Sequence, residues 1–154
     1  ITPLLIANSI KVLEKSLNND FKIKKPKIAV TGLNPHSGDG GLLGHEENKI
    51  IIPAIIKARK NGLNIDGPLA ADSVFRKSNL KIYDAFLCMY HDQALIAVKT
   101  IDFEKTVNYT VGLSFIRTSP DHGTGFDIAK KFIADETSLV TAINYAGDIA
   151  NNKF

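Results

Sequence analysis

Apolar residues Leu5, Ile6, Ile10, Leu13 and Leu17 recur at roughly helical spacing behind Thr2-Pro3. Threonine as N-cap and proline at the first helical position predict a helix start there, and Asn18-Asn19-Asp20 breaks the pattern. Lys27 to Thr31 is a short apolar run that predicts a buried strand. Glu46 to Lys60 predicts a second helix, with acids in its first turn and Asn61-Gly62 as its stop. Pro53 either kinks that helix or marks its true start. Leu63 to Ile65 predicts a short strand running into Gly67-Pro68-Leu69, and Ala70 to Phe75 a helical turn. Tyr83 to Tyr90 is continuously apolar, as in a strand covered on both faces. Asp92 then stands before a helix containing Leu95 and Val98. Val107 to Ile116 predicts a strand or strand pair, and Phe126 to Ala134 and Ser138 to Ile149 predict amphipathic helices.

Strands thus alternate with helices, the pattern of an α/β fold. The polar residues His36, Asp72, His91, Asp92 and Arg117 fall at or near predicted strand exits. Open α/β sheets bind ligands outside the carboxyl ends of their strands, so these residues are the first candidates for chemistry.

Composition narrows the class. The chain has 154 residues, 44% of them hydrophobic and 23% charged, with a net charge of +3. That is enough for one domain with a core. The cluster Lys22, Lys24, Lys25 and Lys27 sits in a polar linker and reads as a solvated connection, so no nucleic-acid partner is expected. No apolar stretch approaches the length of a membrane span and no signal peptide is visible. The single Cys88 has no internal disulfide partner, which predicts a buried thiol in a reducing cytoplasm. Opening at Ile1 rather than Met reads as the interior of a longer protein, cut at a helix.

His36 lies in the turn Asn34-Pro35-His36-Ser37-Gly38-Asp39-Gly40-Gly41. The glycines permit positive φ and close approach of backbone to a ligand, and their N–H groups suit an anion. The stretch matches neither the dinucleotide fingerprint nor the P-loop, and a plain surface histidine is the competing reading. His91, Asp92 and Gln93 put an imidazole, a carboxylate and an amide at one strand exit. They suit a divalent metal or acid–base chemistry, unless Asp92 merely caps the following helix. Lys99 offers a cation or a general base, or a solvated lysine. Asp72 offers a carboxylate or a helix cap. Arg117 offers a fork for phosphate or carboxylate, or a structural ion pair. Asp121-His122-Gly123-Thr124-Gly125 is a second glycine loop friendly to anions. These residues suit a metal-assisted reaction on a small phosphorylated or carboxylated substrate, and they do not select the reaction.

Four segments, GLNPHSGDGGLLGHEE, GPLAADSVF, DAFLCMYHDQALIAVK and VNYTVGLSFIRTSPDHGTGFDIA, together resemble the 4-hydroxythreonine-4-phosphate dehydrogenase family of pyridoxal phosphate biosynthesis. The resemblance runs in order through essentially the whole chain. It implies the C-terminal half, residues 1–154, of a two-domain enzyme about twice as long, with the isocitrate/isopropylmalate-dehydrogenase-like fold. It implies NAD- or NADP-dependent oxidation of the C3 hydroxyl of 4-phosphooxy-L-threonine, then decarboxylation to 3-amino-2-oxopropyl phosphate. It implies a homodimer with a shared active site, and a divalent cation (zinc, magnesium or cobalt) held by three histidines.

Two of those histidines match His36 and His91, and the third is expected just upstream of Ile1. Lys99, Asn108 and Arg117 match substrate-binding positions, with Lys99 also near the reacting centre. Asp72 and Asp92 match acids near the metal. Asp121, His122, Gly123, Thr124 and Asp127 match the loop folded over the adenosine part of the dinucleotide. The chain alone is expected to be inactive.

Several positions depart from the family pattern, where proline, glycine and proline are usual at Ala70, Ala94 and Ser114. Gly125-Phe126 and Lys130 depart from the usual dinucleotide loop. Two alternatives stand beside the main reading. One is oxidation of erythronate or threonate 4-phosphate within the same family, and the other is a non-enzymatic metal- or phosphate-binding module.

Overall fold

The computed structural model describes residues 1–131 and 133–153. The chain forms two compact units, Ile1–Leu95 and Ile96–Phe154.

In the first unit, helix α1 (Pro3–Asn19) starts as its sequence predicts: the Leu5 N–H donates to Thr2 Oγ1 at 3.1 Å. Strand β1 (Lys27–Thr31) keeps its expected bounds and takes the centre of a three-stranded sheet. It pairs in parallel with β2 (Asn64–Leu69) on one side and β3 (Ala85–Leu87) on the other, so Ile28 faces Ile65 and Ala85 across the ladders. A central strand is covered on both faces, and Ala29, Val30 and Thr31 are fully buried. Ile6, Ile10 and Leu17 of α1 pack with Ile28, Val30, Ile51, Ile55 and Ile65 into one core. Burying each such side chain contributes about 1.5–3 kcal/mol.

The second helix is divided. Glu47–Ile51 is a π-helical turn, and α2 (Ile52–Lys60) begins with Pro53 in its first turn. Pro53 therefore marks the true α-helical start, where a missing N–H costs nothing. β2 runs further than Leu63–Ile65 and passes through Gly67. There a Cβ would stand 2.4 Å from the Val30 carbonyl oxygen, so only glycine lets the two backbones approach. α3 (Ala71–Val74) follows, and then the short 3₁₀ turn Asn79–Lys81.

β3 corrects the expected strand Tyr83–Tyr90. Only Ala85–Leu87 forms ladder, and these residues are half-buried, because β3 is an edge strand with one neighbour. Cys88 is likewise half-buried, not buried. Burial pushes its thiol upward, and a contact with Thr31 pulls part of the way back.

Helix α4 (His91–Ile101) carries the chain from one unit to the next. In the second unit, β4 (Val107–Tyr109) and β5 (Thr118–Pro120) pair antiparallel, with Asn108 opposite Ser119. The expected segment Val107–Ile116 is therefore one short strand and a loop. Arg117 precedes β5 and does not stand at a strand exit. Helix α5 (Thr137–Lys153) packs on β5, where Thr118 Oγ1 donates to the Ala142 carbonyl at 2.9 Å. The expected helix Phe126–Ala134 is absent among the described residues. Residues 126–131 form turns, with Ile128 N–H donating to Gly125 O and Lys131 N–H to Ile128 O. Phe126 and Ile133 are 83% and 65% exposed, so this short segment has no buried stripe to hold a helix. Among the described residues no helix is long and apolar enough to cross a membrane.

Candidate active site

All three strands of the parallel sheet end at one edge. β1 leads into the His36 turn, β2 leads through Leu69 to Asp72 in the first turn of α3, and β3 leads to His91 at the start of α4. α3 packs beside the His36 turn. The strand-exit argument therefore holds for His36, Asp72, His91 and Asp92.

The His36 turn is left-handed. His36, Ser37, Gly38, Asp39 and Gly40 all have positive φ, from 42° to 81°. For non-glycine residues this conformation costs roughly 1–2 kcal/mol each. Strain of that kind persists only where surrounding structure imposes it. Here the surrounding structure includes Glu47, which is 2% exposed. Its Oε1 accepts from the Leu33 and Asn34 N–H groups, each at 2.8 Å, and Oε2 accepts from Asn34 Nδ2 at 2.9 Å. Burial pushes the Glu47 carboxyl up, but the hydrogen bonds from Asn34, its own backbone and Leu33 outweigh this, and its pKa lies below the ordinary value. Glu46 binds Asn34 Nδ2 at 2.7 Å from the exposed side.

At the neighbouring exit, His91 Nδ1 lies 2.8 Å from Asp92 Oδ1, and both side chains are exposed. Asp92 lies inside α4 and bonds the His91 ring, so it is not the helix cap. A carboxylate accepting from one ring N–H leaves the lone pair of the other nitrogen for a metal, the arrangement usual for metal-binding histidines. Gln93 takes no part in an exposed cluster. It is buried, with Nε2 donating to the Gly32 carbonyl at 2.8 Å and Oε1 accepting from the Met89 N–H at 2.7 Å and from Thr31 Oγ1. It ties the exit of β1 to that of β3.

Among the described residues, no group of three or more His, Cys, Asp and Glu side chains is gathered to hold a metal ion. His36 and His91 are exposed imidazoles, a residue type that ligates divalent cations, and the His91 ring is paired with the Asp92 carboxylate.

The second unit holds the remaining candidates. Lys99 Nζ donates to the Asp121 carbonyl at 2.8 Å and lies 3.7 Å from Asp121 Oδ2 and 5.3 Å from the Phe103 ring centre. Lys99 is thus a partner of the glycine loop. Arg117 is exposed, and its Nη1 donates to Thr110 Oγ1 at 2.8 Å, while Asn108 is exposed on β4. Four of the five loop residues singled out in the sequence, His122, Gly123, Thr124 and Asp127, line a cavity of about 790 Å³ with Phe103 and Ile128. Asp121 stands at its edge in sequence, held by Lys99. Apolar walls with a few polar groups are usual for a small-molecule site.

Residues 1–146 match the family described as pyridoxal phosphate biosynthetic protein PdxA. The chain belongs to this family. Within the PdxA family, it is 46% identical over 150 residues to 4-hydroxythreonine-4-phosphate dehydrogenase of Paracoccus denitrificans, covering 97% of this chain and 47% of that protein. It is 51% identical to the enzyme of that name from Caulobacter vibrioides, with 97% and 45% covered. A crystal structure of 4-hydroxythreonine-4-phosphate dehydrogenase from Klebsiella pneumoniae superposes with a TM-score of 0.86 at 42% identity, over 97% of this chain and 45% of that one. A terephthalate 1,2-cis-dihydrodiol dehydrogenase from Burkholderia xenovorans superposes at 0.74 with 30% identity, over 96% and 47%. The chain spans about half the length of the curated relatives it matches.

Glu47, which bonds the residues before the His36 turn, is not singled out by the sequence. Two adjacent glutamates before a helix look like ordinary first-turn acids.

Proposed function

We propose that this chain is the C-terminal portion of an NAD- or NADP-dependent dehydrogenase that requires a divalent cation. Its reaction is oxidation of 4-phosphooxy-L-threonine at the C3 hydroxyl, followed by decarboxylation to 3-amino-2-oxopropyl phosphate, in pyridoxal phosphate biosynthesis. The proposed fold of the whole is isocitrate/isopropylmalate-dehydrogenase-like, and the proposed setting is a cytoplasmic homodimer with a shared active site. The observation that carries this reading is family membership over residues 1–146, joined to the presence of His36, Asp72 and His91 at one edge of the parallel sheet.

His36 and His91 would hold the cation. That cation, when bound, supplies Lewis acidity where oxygen gains negative charge, and NAD or NADP supplies the hydride acceptor. Asp92 holds the His91 ring in one tautomer through the 2.8 Å contact. Asp72, in the first turn of α3, adds negative charge beside the His36 turn. Arg117 offers a planar fork to the substrate phosphate or carboxylate, Asn108 a neutral amide, and Lys99 a cation. Lys99 also braces the loop Asp121–Asp127, whose residues line the cavity proposed for the adenosine part of the dinucleotide.

A structure of similar fold carries the name of a different substrate, a terephthalate diol. The second reading within the family is oxidation of erythronate or threonate 4-phosphate. The test is product analysis of the full-length protein with each phosphorylated substrate, NAD or NADP and a divalent metal salt. Faster turnover of 4-phosphooxy-L-threonine, with carbon dioxide released in step with reduced dinucleotide, supports the proposal. Preference for a hydroxy acid phosphate gives the second reading, and no turnover of either defeats both.

A further inference from the structure

Glu47 is a buried carboxylate satisfied by three N–H donors that all come from Leu33 and Asn34, the residues between β1 and the His36 turn. Its seat is built from glycine. A Cβ at Gly38 would stand 2.6 Å from Glu47 Oε2, and one at Gly32 would stand 3.0 Å from Oε1. It also opens the π-helical turn Glu47–Ile51, a widening that recurs at functional sites. Beside it runs the left-handed stretch from His36 to Gly40, whose non-glycine members His36, Ser37 and Asp39 sit at φ of 51°, 54° and 42°. Ser37 Oγ is buried there without a hydrogen-bond partner, so the turn is not held by its own side chain.

We propose that Glu47 is a positioning residue: its carboxylate clamps the backbone at the exit of β1 and so holds His36 in the left-handed turn from which it meets the divalent cation. The second half of that statement rests on the reading of His36 as a metal ligand. The clamp requires a carboxylate. Three donors converge on its two oxygens, and glutamine would offer one acceptor oxygen and turn an N–H group toward another donor. Gln93 bonds other groups, on Gly32, Thr31 and Met89, and none of the three donors that Glu47 holds.

The test uses Glu47→Gln in the full-length protein, with two readouts besides activity: the ring resonances of His36 by NMR in the metal-free protein, and titration with Co²⁺ alone. The expected result is displaced His36 ring resonances and Co²⁺ affinity lower by about 10–100-fold, as for other groups that orient a ligand. Adding Ser37→Gly, which eases the left-handed φ at that position, should restore part of the lost affinity. A purely structural role for Glu47 would lower the unfolding midpoint and leave both readouts unmoved, and that result would overturn the proposal. Displaced His36 resonances with unchanged Co²⁺ affinity would uphold the clamp and refute His36 as a ligand. Should Glu47→Gln fail to fold, hydrogen exchange in the unsubstituted protein decides. The clamp requires slow exchange at the Leu33 and Asn34 amides, and fast exchange at both would overturn it.

Discussion

The Gln93 side chain, in the first turn of α4, donates to the Gly32 carbonyl at 2.8 Å across 61 residues of sequence. Gln93 is two residues from His91, and Gly32 is four from His36, so this bond joins the roots of both candidate ligands. Substituting Gln93→Leu would bury the Gly32 carbonyl and the Met89 N–H without partners. A loss of about 1–3 kcal/mol is expected for each buried group left unsatisfied. Urea unfolding of the variant measures it, and an unchanged midpoint would show that water replaces the amide.

His91→Ala should act in the opposite way, on function and not on stability. The His91 side chain is 77% exposed, so its removal should change the unfolding free energy by no more than about 0.5 kcal/mol. Turnover should be abolished and metal binding weakened, because the proposed three-histidine site would be left with two ligands. Metal content by elemental analysis, set beside the rate, checks this. Near-full rate and metal content would exclude His91 as a ligand.

Arg117→Lys should raise the Michaelis constant for the phosphorylated substrate more than it changes dinucleotide affinity. Lysine keeps the charge and loses the planar fork. Steady-state kinetics with each ligand varied in turn separates the two. An equal effect on both ligands, or none, would count against a substrate role.

Glu47 makes stability depend on acidity. Its folded-state pKa lies below the ordinary 4.5. Its contribution is therefore complete above that ordinary value and is lost as the pH falls through the lower folded value. Unfolding midpoints should fall as the pH drops below the ordinary carboxyl value of 4.5, and Glu47→Gln should flatten that part of the profile. An identical acid profile for the variant would mean that the carboxylate is not held as described.

Much of this was legible in the sequence where local chemistry and burial agree. Thr2-Pro3 announces α1 because the cap is a local interaction, and Lys27–Thr31 reads as a buried strand because a central strand is apolar on both faces. The strand exits bearing His36 and His91 follow from that. Phe126–Ala134 has helical periodicity, but Phe126 and Ile133 are exposed and residues 126–131 form turns. Tyr83–Tyr90 is apolar enough for a strand, yet only Ala85–Leu87 pairs with β1. Glu47 and Gln93 were not legible as internal ties, since what makes a carboxylate or an amide turn inward is a set of donors and acceptors assembled from distant segments.

The central claim is that the full-length protein is a metal-dependent dehydrogenase. Its most direct test is the rate of reduced-dinucleotide formation from 4-phosphooxy-L-threonine, measured before and after chelation and again after a divalent cation is restored. The account predicts turnover that chelation abolishes and added metal recovers. Turnover that persists undiminished in the metal-free protein would contradict it.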